Sequence, residues 1–196
     1  MVMTRALRVP QIMRHSAGFT LIELLVSLAI SVILLAVGVP SFQEFVKSNR
    51  LSTEVNALIA GFHYAKSEAI KRGVRVSLCK SGDLTTCSKA DGWEQGWMVF
   101  IDPDNSNSPE TILHTSMASG GTITIRGNSH VSERISFISS GMSRNNNGQI
   151  IFCDDRIRAF STDRAKARVI VISTTGRIRT ISGDDRSVSV NSCTPG

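Results

Sequence analysis

Gly18-Phe-Thr-Leu-Ile-Glu-Leu-Leu-Val-Ser-Leu-Ala-Ile-Ser-Val-Ile-Leu-Leu-Ala-Val-Gly-Val39 is the stretch that decides the fold. Phe19 to Val39 carries one charge, Glu23, in an otherwise uncharged, mostly apolar run. A helix rises about 1.5 Å per residue, so this run matches the ~30 Å hydrocarbon core of a membrane. A carboxylate inside such a helix costs roughly 2.5–3.5 kcal/mol on insertion scales, and residues that costly usually have a partner and a purpose. A neutral residue would anchor the chain better. Anchoring is therefore not the only expected role of this segment, and Glu23 is the residue that carries the other one.

The flanks of the run predict its orientation and processing. Arg5, Arg8 and Arg14 precede it and no acid does, which leaves residues 1–17 cytoplasmic and sends the body outward. The run ends in Gly38-Val39-Pro40-Ser41-Phe42, a poor site for cleavage of a secretory signal. Small residues stand before it instead, at Ser16-Ala17-Gly18, and cleavage there keeps the apolar helix in the mature chain. Gly18-Phe19-Thr20-Leu21-Ile22-Glu23 resembles the processing site of type IV prepilins and type II secretion pseudopilins. The resemblance implies that a prepilin peptidase cuts after Gly18 and methylates the new amine of Phe19. It also implies that Glu23 pairs with an N-terminal amine, its own or a neighbouring pilin's, as subunits leave the bacterial inner membrane for a filament. Opposite charges in a low-dielectric bundle attract strongly and can set register.

Beyond Pro40, which removes a helical hydrogen bond, the pattern continues as an amphipathic helix. Phe42, Phe45, Val46, Leu51, Val55, Leu58, Ile59, Phe62, Ala65, Ala69 and Ile70 recur at three- and four-residue steps. Lys47, Arg50, Glu54, Lys66, Glu68 and Lys71 mostly occupy the other face. Gly73 after Lys71-Arg72 is a stop signal. Short alternating or apolar runs then predict strands: Val74–Leu78, Trp97–Ile101, Thr122–Arg126, Arg134–Ile138, Gln149–Cys153, Val169–Ile172 and Arg177–Ile181. Polar, turn-rich stretches separate them. The expected organisation is a leader over 1–18, a transmembrane and filament-core helix over 19–39, its amphipathic continuation over 40–72, and a β-rich head over 73–196. The class is α+β: one long helix packed on two antiparallel sheets.

The chain has 196 residues and a formal net charge of +6. Half of that surplus lies in the leader arginines, so the body is only mildly basic, which permits anionic partners without requiring them. Cys79, Cys87, Cys153 and Cys193 all follow the apolar run. An even count outside the membrane suits disulfides, and zinc-like paired spacing is absent. Of three possible connectivities the local choice is Cys79–Cys87 with Cys153–Cys193. The second bridge would pin the C-terminus, an effect of ~3–4 kcal/mol in the chain-entropy model.

A further resemblance covers nearly the whole mature chain. Ser67-Glu-Ala-Ile-Lys-Arg-Gly73, Val76-Ser-Leu-Cys79, Trp93-Glu-Gln-Gly-Trp-Met-Val-Phe100, Phe137-Ile-Ser-Ser-Gly141 and Thr175-Gly-Arg-Ile-Arg179 resemble the GspH/FimT branch of minor pilins and minor pseudopilins. Trp97 is also expected in the core, and Trp93 where a loop packs on a strand.

No catalytic residue, cofactor or metal is expected. His15, His63, His114 and His130 show no ligand spacing and no nearby nucleophile motif. Asp102-Pro-Asp-Asn-Ser-Asn107 with Glu110 looks like a calcium loop but lacks the central glycine and the twelfth-position glutamate, so a polar turn is the better reading. The basic C-terminal region is more informative. In Gly176-Arg177-Ile178-Arg179 the two arginines fall on one side of a strand and Ile178 on the other, about 7 Å between the arginines. Two guanidinium forks at that spacing suit successive phosphates of a nucleic-acid backbone. The plain alternative is a solvated strand face paired with Asp184 or Asp185. In FimT-type minor pilins a glycine-arginine-any-arginine motif is the DNA-binding element of natural transformation, and Gly176, Arg177 and Arg179 match it. The resemblance thus implies a type IV pilus subunit that holds double-stranded DNA through phosphate contacts, with Lys166, Arg168 and Arg186 as candidates to widen the patch. Two other readings compete: a FimU-like structural minor pilin that primes assembly, and a GspH-like pseudopilin of a type II secretion system.

Overall fold

The computed structural model describes residues 18–90, 92–106, 108–144, 148–156 and 166–188. Among these residues one α-helix, α1 (Leu21–Arg72), is followed by eight strands: β1 (Val76–Lys80), β2 (Gly96–Ile101), β3 (Thr111–Met117), β4 (Thr124–Gly127), β5 (Arg134–Phe137), β6 (Gly148–Cys153), β7 (Arg168–Ile172) and β8 (Ile178–Ser182). This is the expected arrangement of one long N-terminal helix and a head of two antiparallel sheets.

The chain divides into two compact units, Met1–Gln43 and Glu44–Gly196. In the first, the described part of α1 is exposed on every side, from Leu21 and Ile22 through Leu35 and Phe42. Its apolar window has a mean hydropathy of 2.6, long and apolar enough to cross a membrane. The hydroxyls of Ser27 and Ser31 donate to the carbonyls of Glu23 and Ser27, so their polarity is absorbed within the helix. Ser41 does the same to Val37, next to the hydrogen bond that Pro40 deletes.

In the second unit the buried stripe of α1 is Leu51, Val55, Leu58, Gly61, Phe62, Ala65, Glu68 and Ala69. It is narrower than the periodicity suggests, because Phe42, Phe45, Val46 and Ile70 stand exposed. Glu68 also departs from the expected polar face: it is 7% exposed, with Arg72 Nε 2.5 Å and Lys71 Nζ 3.8 Å from its carboxylate. Gly73, at φ +70°, ends the helix by donating its N–H to Ala69 O at 3.0 Å.

The sheets run β3-β2-β1-β5 and β4-β6-β7-β8, with antiparallel neighbours throughout. Strand alternation gives each a face toward the helical stripe. Val76, Leu78, Trp97, Val99, Ile135 and Phe137 of the first sheet, with Ile150, Phe152, Ile170 and Ile172 of the second, join Leu58 and Phe62 in one core. Both tryptophans belong to it. The Trp97 ring lies 2.5 Å from where a Cβ on Gly61 would stand, so only glycine fits that helical turn. Trp93 Nε1 donates to Val131 O at 3.2 Å.

Two expectations need correction. β3 is an additional strand, an exposed edge whose side chains show no clean alternation. The strand expected from Thr122 starts at Thr124. Cys79 and Cys87 form a disulfide. The Cys153–Cys193 pairing lies outside the described residues because Cys193 does, as does the leader before Gly18.

Candidate nucleic-acid interface

The turn between β7 and β8 presents the arginine pair. Ser173 N donates to Arg177 O at 3.0 Å and Gly176 N to Ser173 O at 2.8 Å. The Ser173 hydroxyl lies 2.8 Å from Thr175 Oγ1 and accepts the Arg177 N–H at 3.2 Å. Gly176 has φ +71°, and a Cβ there would stand 2.1 Å from Gly141 O. Gly141 has φ +77° itself and belongs to the turn after β5. Ser143 N, from the same turn, donates to Thr174 O at 2.9 Å. From α1, Lys66 Nζ donates to Gly176 O at 2.9 Å. Two short segments distant in sequence, 138–143 and 173–177, thus hold each other against one turn of the helix.

Arg177 and Arg179 are both exposed, and Ile178 between them packs on the core. Arg179 is registered against Val171 on the edge strand β8. Val171, Ser173, Thr175, Arg177 and Arg179 line one shallow depression of about 320 Å³. Among the described residues neither guanidinium has a hydrogen bond or ion pair. Asp185 does not take either one: its carboxylate accepts from Ser187 N at 2.8 Å and Ser187 Oγ at 2.6 Å. Those bonds hold its pKa below the ordinary carboxylate value, with a smaller pull from Arg179. The depression therefore offers two exposed planar cations without a direct ion pair, and two hydroxyls, to an anion.

The other basic candidates do not converge on it. Arg168 is registered against Ser182, about 10 Å along the sheet from Val171. Alternation puts it on the face opposite Arg179, and its Nη1 donates to Ala167 O. Lys166 is 3.9 Å from Glu44, within a charged cluster where Arg156 also bonds Glu44, Ser48 and Asp154. Arg186 is exposed in the turn after β8. At the other end of the chain, Gly18 and Phe19 are exposed, and Glu23 lies in the first turn of α1, its N–H on Thr20 Oγ1.

Two carboxylates of the acidic loop hold structural hydrogen bonds. Asp102 is fully buried, accepting from Ser77 Oγ at 2.6 Å and Arg134 Nη1 at 3.1 Å. Asp104 caps Ser106 N. Among the described residues no group of three histidine, cysteine, aspartate or glutamate side chains could hold a metal ion. His114 packs between the rings of Tyr64 and Trp97, with centroids 5.7 and 5.5 Å away. Sequence reasoning missed two contributors. Lys66 reads as an ordinary solvated lysine of an amphipathic helix, and no local signal marks its bond to a turn near the chain's far end. Glu94 joins the sheets by accepting from Ile125 N at 3.0 Å and Arg126 Nη1 at 2.6 Å.

Two family models match this chain. One, described as type II transport protein GspH, matches residues 54–176; the other, a prokaryotic N-terminal methylation motif, matches residues 13–39. Crystal structures of the type IV minor pilin FimU from Pseudomonas aeruginosa are similar to it. One crystal form shares 25% identity at a TM-score of 0.58, covering 76% of this chain and 99% of that one. The other shares 24% at 0.54, covering 73% and 99%. The minor pseudopilin EpsH of the Vibrio cholerae type 2 secretion system shares 8% at 0.46, covering 69% and 99%. No curated protein sequence matches.

Proposed function

The chain belongs to the GspH family of minor type IV pilins and pseudopilins, and from that premise we propose that it is a minor pilin that captures extracellular DNA for uptake. The observation that carries this reading is the pair Arg177, in the turn just before the edge strand β8, and Arg179 within it, both exposed and without a hydrogen bond or ion pair among the described residues. The methylation motif implies prepilin peptidase processing and pilin partners. In the proposed life cycle, cleavage after Gly18 exposes Phe19 for methylation, and the head waits in the periplasm on an inner-membrane helix. Glu23 then sets register as the subunit enters the pilus.

Two exposed arginines two residues apart, an interval of about 7 Å along extended chain, suit phosphates rather than base edges, so binding is independent of sequence. Few contacts imply a Kd of roughly 10⁻⁴–10⁻⁶ M and a strong salt dependence. A retractable filament needs no more, since its task is to hook any duplex.

The test uses the full chain in a nonionic detergent, with a labelled random duplex titrated across a salt series. Wild type should bind, and Arg177→Ala/Arg179→Ala should reduce the salt slope by about 1.8, or roughly 0.9 per phosphate lost. Equal binding by both proteins, or none by either, refutes DNA capture. The likeness to FimU, which spans 99% of that chain, favours a second reading as a structural minor pilin. Wild type that fails to bind DNA but is required for piliation would establish that role instead.

A further inference from the structure

We propose that Lys66 is a positioning residue for Arg177: from the helix, it holds the peptide plane that aims the first arginine of the pair. The inference rests on the DNA-binding reading of Arg177 and Arg179.

The Gly176 carbonyl and the Arg177 N–H belong to one planar peptide unit, so fixing both ends fixes the plane. Lys66 Nζ donates to that carbonyl at 2.9 Å, and Ser173 Oγ accepts that N–H at 3.2 Å. Lys66 is half-buried, and its Cε lies 3.1 Å from where a Cβ on Gly141 would stand. The lysine stem therefore lies over one turn while the amine grips the next. Gly176 is the one residue of the motif without a side chain to resist a flip of this plane, and its φ of +71° is open to many alternatives in a glycine. Arg179 is held differently, by ladder pairing with Val171 inside β8. Loss of Lys66 should therefore loosen Arg177 and leave Arg179 in place.

That asymmetry separates positioning from direct contact. A lysine that touched phosphate would contribute its own part of the salt slope, whichever arginine was present. A lysine that only aims Arg177 contributes nothing once Arg177 is gone.

The experiment measures random-duplex binding by the full chain in nonionic detergent, across a salt series. The variants are Lys66→Met, Lys66→Arg, Arg177→Ala, Arg179→Ala, and Lys66→Met combined with each alanine. Lys66→Met should weaken binding about five- to tenfold, the value of one lost hydrogen bond, with the salt slope unchanged. Lys66→Arg, which keeps a donor, should restore most of it. Lys66→Met should add nothing on the Arg177→Ala background and keep its full effect on Arg179→Ala. Without DNA, hydrogen exchange at the Arg177 amide should quicken in Lys66→Met and not in Lys66→Arg. Wild-type affinity in Lys66→Met, a slope reduced by about 0.9, or equal effects on both backgrounds would each overturn the inference. Wild type that does not bind duplex sinks the DNA reading and the inference together, whereas wild type that binds with an indifferent Lys66→Met sinks the inference alone.

Discussion

Three glycines adopt nearly the same left-handed conformation in different surroundings, so alanine at each separates backbone strain from collision. Gly73, Gly141 and Gly176 have φ of +70°, +77° and +71°. A Cβ at Gly73 meets nothing within 4 Å. Its alanine variant suffers only the left-handed penalty of roughly 1–2 kcal/mol, partly offset by the stiffer unfolded chain, for a net of about 1 kcal/mol. At Gly141 the Cβ meets Ile70 Cδ1 at 2.9 Å and Lys66 Cε at 3.1 Å, both near the ends of flexible side chains that can move aside. At Gly176 it meets the backbone oxygen of Gly141 at 2.1 Å, and one of the two turns must shift by about 1 Å to restore ordinary contact. Overpacking of that kind adds roughly 1–3 kcal/mol. The expected order of destabilisation is Gly73→Ala, Gly141→Ala, Gly176→Ala, at about 1, 2 and 2–4 kcal/mol. For a domain of this size each kcal/mol lowers Tm by about 2–4 °C. The two tryptophans, Trp93 and Trp97, are both in the head core, so their fluorescence during heating of the full chain reports the head alone. Gly176→Ala melting within about 2 °C of Gly73→Ala would refute the collision and, with it, the close docking of the two turns.

Two further outcomes follow from buried and capped carboxylates. Glu94→Ala should cost about 2–3 kcal/mol in urea unfolding, below the usual loss for a broken buried pair because the Arg126 side chain keeps 22% of its exposure. Glu94→Ala/Arg126→Met should recover part of that cost, and its failure to do so would show the pair to be incidental. Asp83, in the Cys79–Cys87 loop, accepts from the N–H groups of Thr86 and Thr85 at 2.8 and 2.9 Å, which hold its carboxyl well below the ordinary range. A depressed folded pKa stabilises above the unfolded value of about 3.9, and the effect disappears as pH falls through the folded value. The loop should therefore be indifferent to pH between 7 and about 5 and loosen only in stronger acid. An NMR titration of the Asp83 carboxyl with a midpoint at or above about 3.9 would contradict this.

The parts of the fold that were legible are those governed by local rules. Gly73 after two basic residues marks the end of α1 because a left-handed cap needs glycine. Buried runs such as Gln149 to Cys153 and Val169 to Ile172 read as strands because both faces of their sheet are covered. β3 escaped because an exposed edge strand has no face whose burial would impose alternation on Thr111–Met117. Phe42 and Phe45 fit the apolar stripe in sequence yet stand exposed, because periodicity reports an apolar face without saying where the head begins to cover it. In the candidate site, Gly176, Arg177 and Arg179 stand out in the sequence because they form one contiguous motif. Arg168 is the counterexample: near the motif across the hairpin, it is turned away by the parity of its position on β7. Lys66 was invisible because its meaning lies in a contact across 110 residues of sequence.

That long-range contact bears on how the proposed site would work in a filament. A DNA hook on a flexible loop would pay an ordering entropy at each encounter and transmit little force. Here the arginine turn is bonded to Lys66, and its partner turn rests on Ile70 and Lys66. Arg179 is part of the β7–β8 ladder, which packs through Ile170, Ile172 and Ile178 on the same core as Leu58 and Phe62 of α1. Both arginines are therefore fixed in the frame of residues 44–72 of the helix, within a single compact unit. Pull on a bound duplex would pass through β8 and the Lys66 clamp into that helical segment, without first extending a loop. Among the described residues the depression beside them is lined by Val171, Ser173 and Thr175 with the arginines themselves, and no aromatic ring lines it. In the proposed role such a surface would grip the charged backbone, which every duplex offers in the same spacing. The arginine pair therefore needs a stiff mount more than it needs a selective pocket.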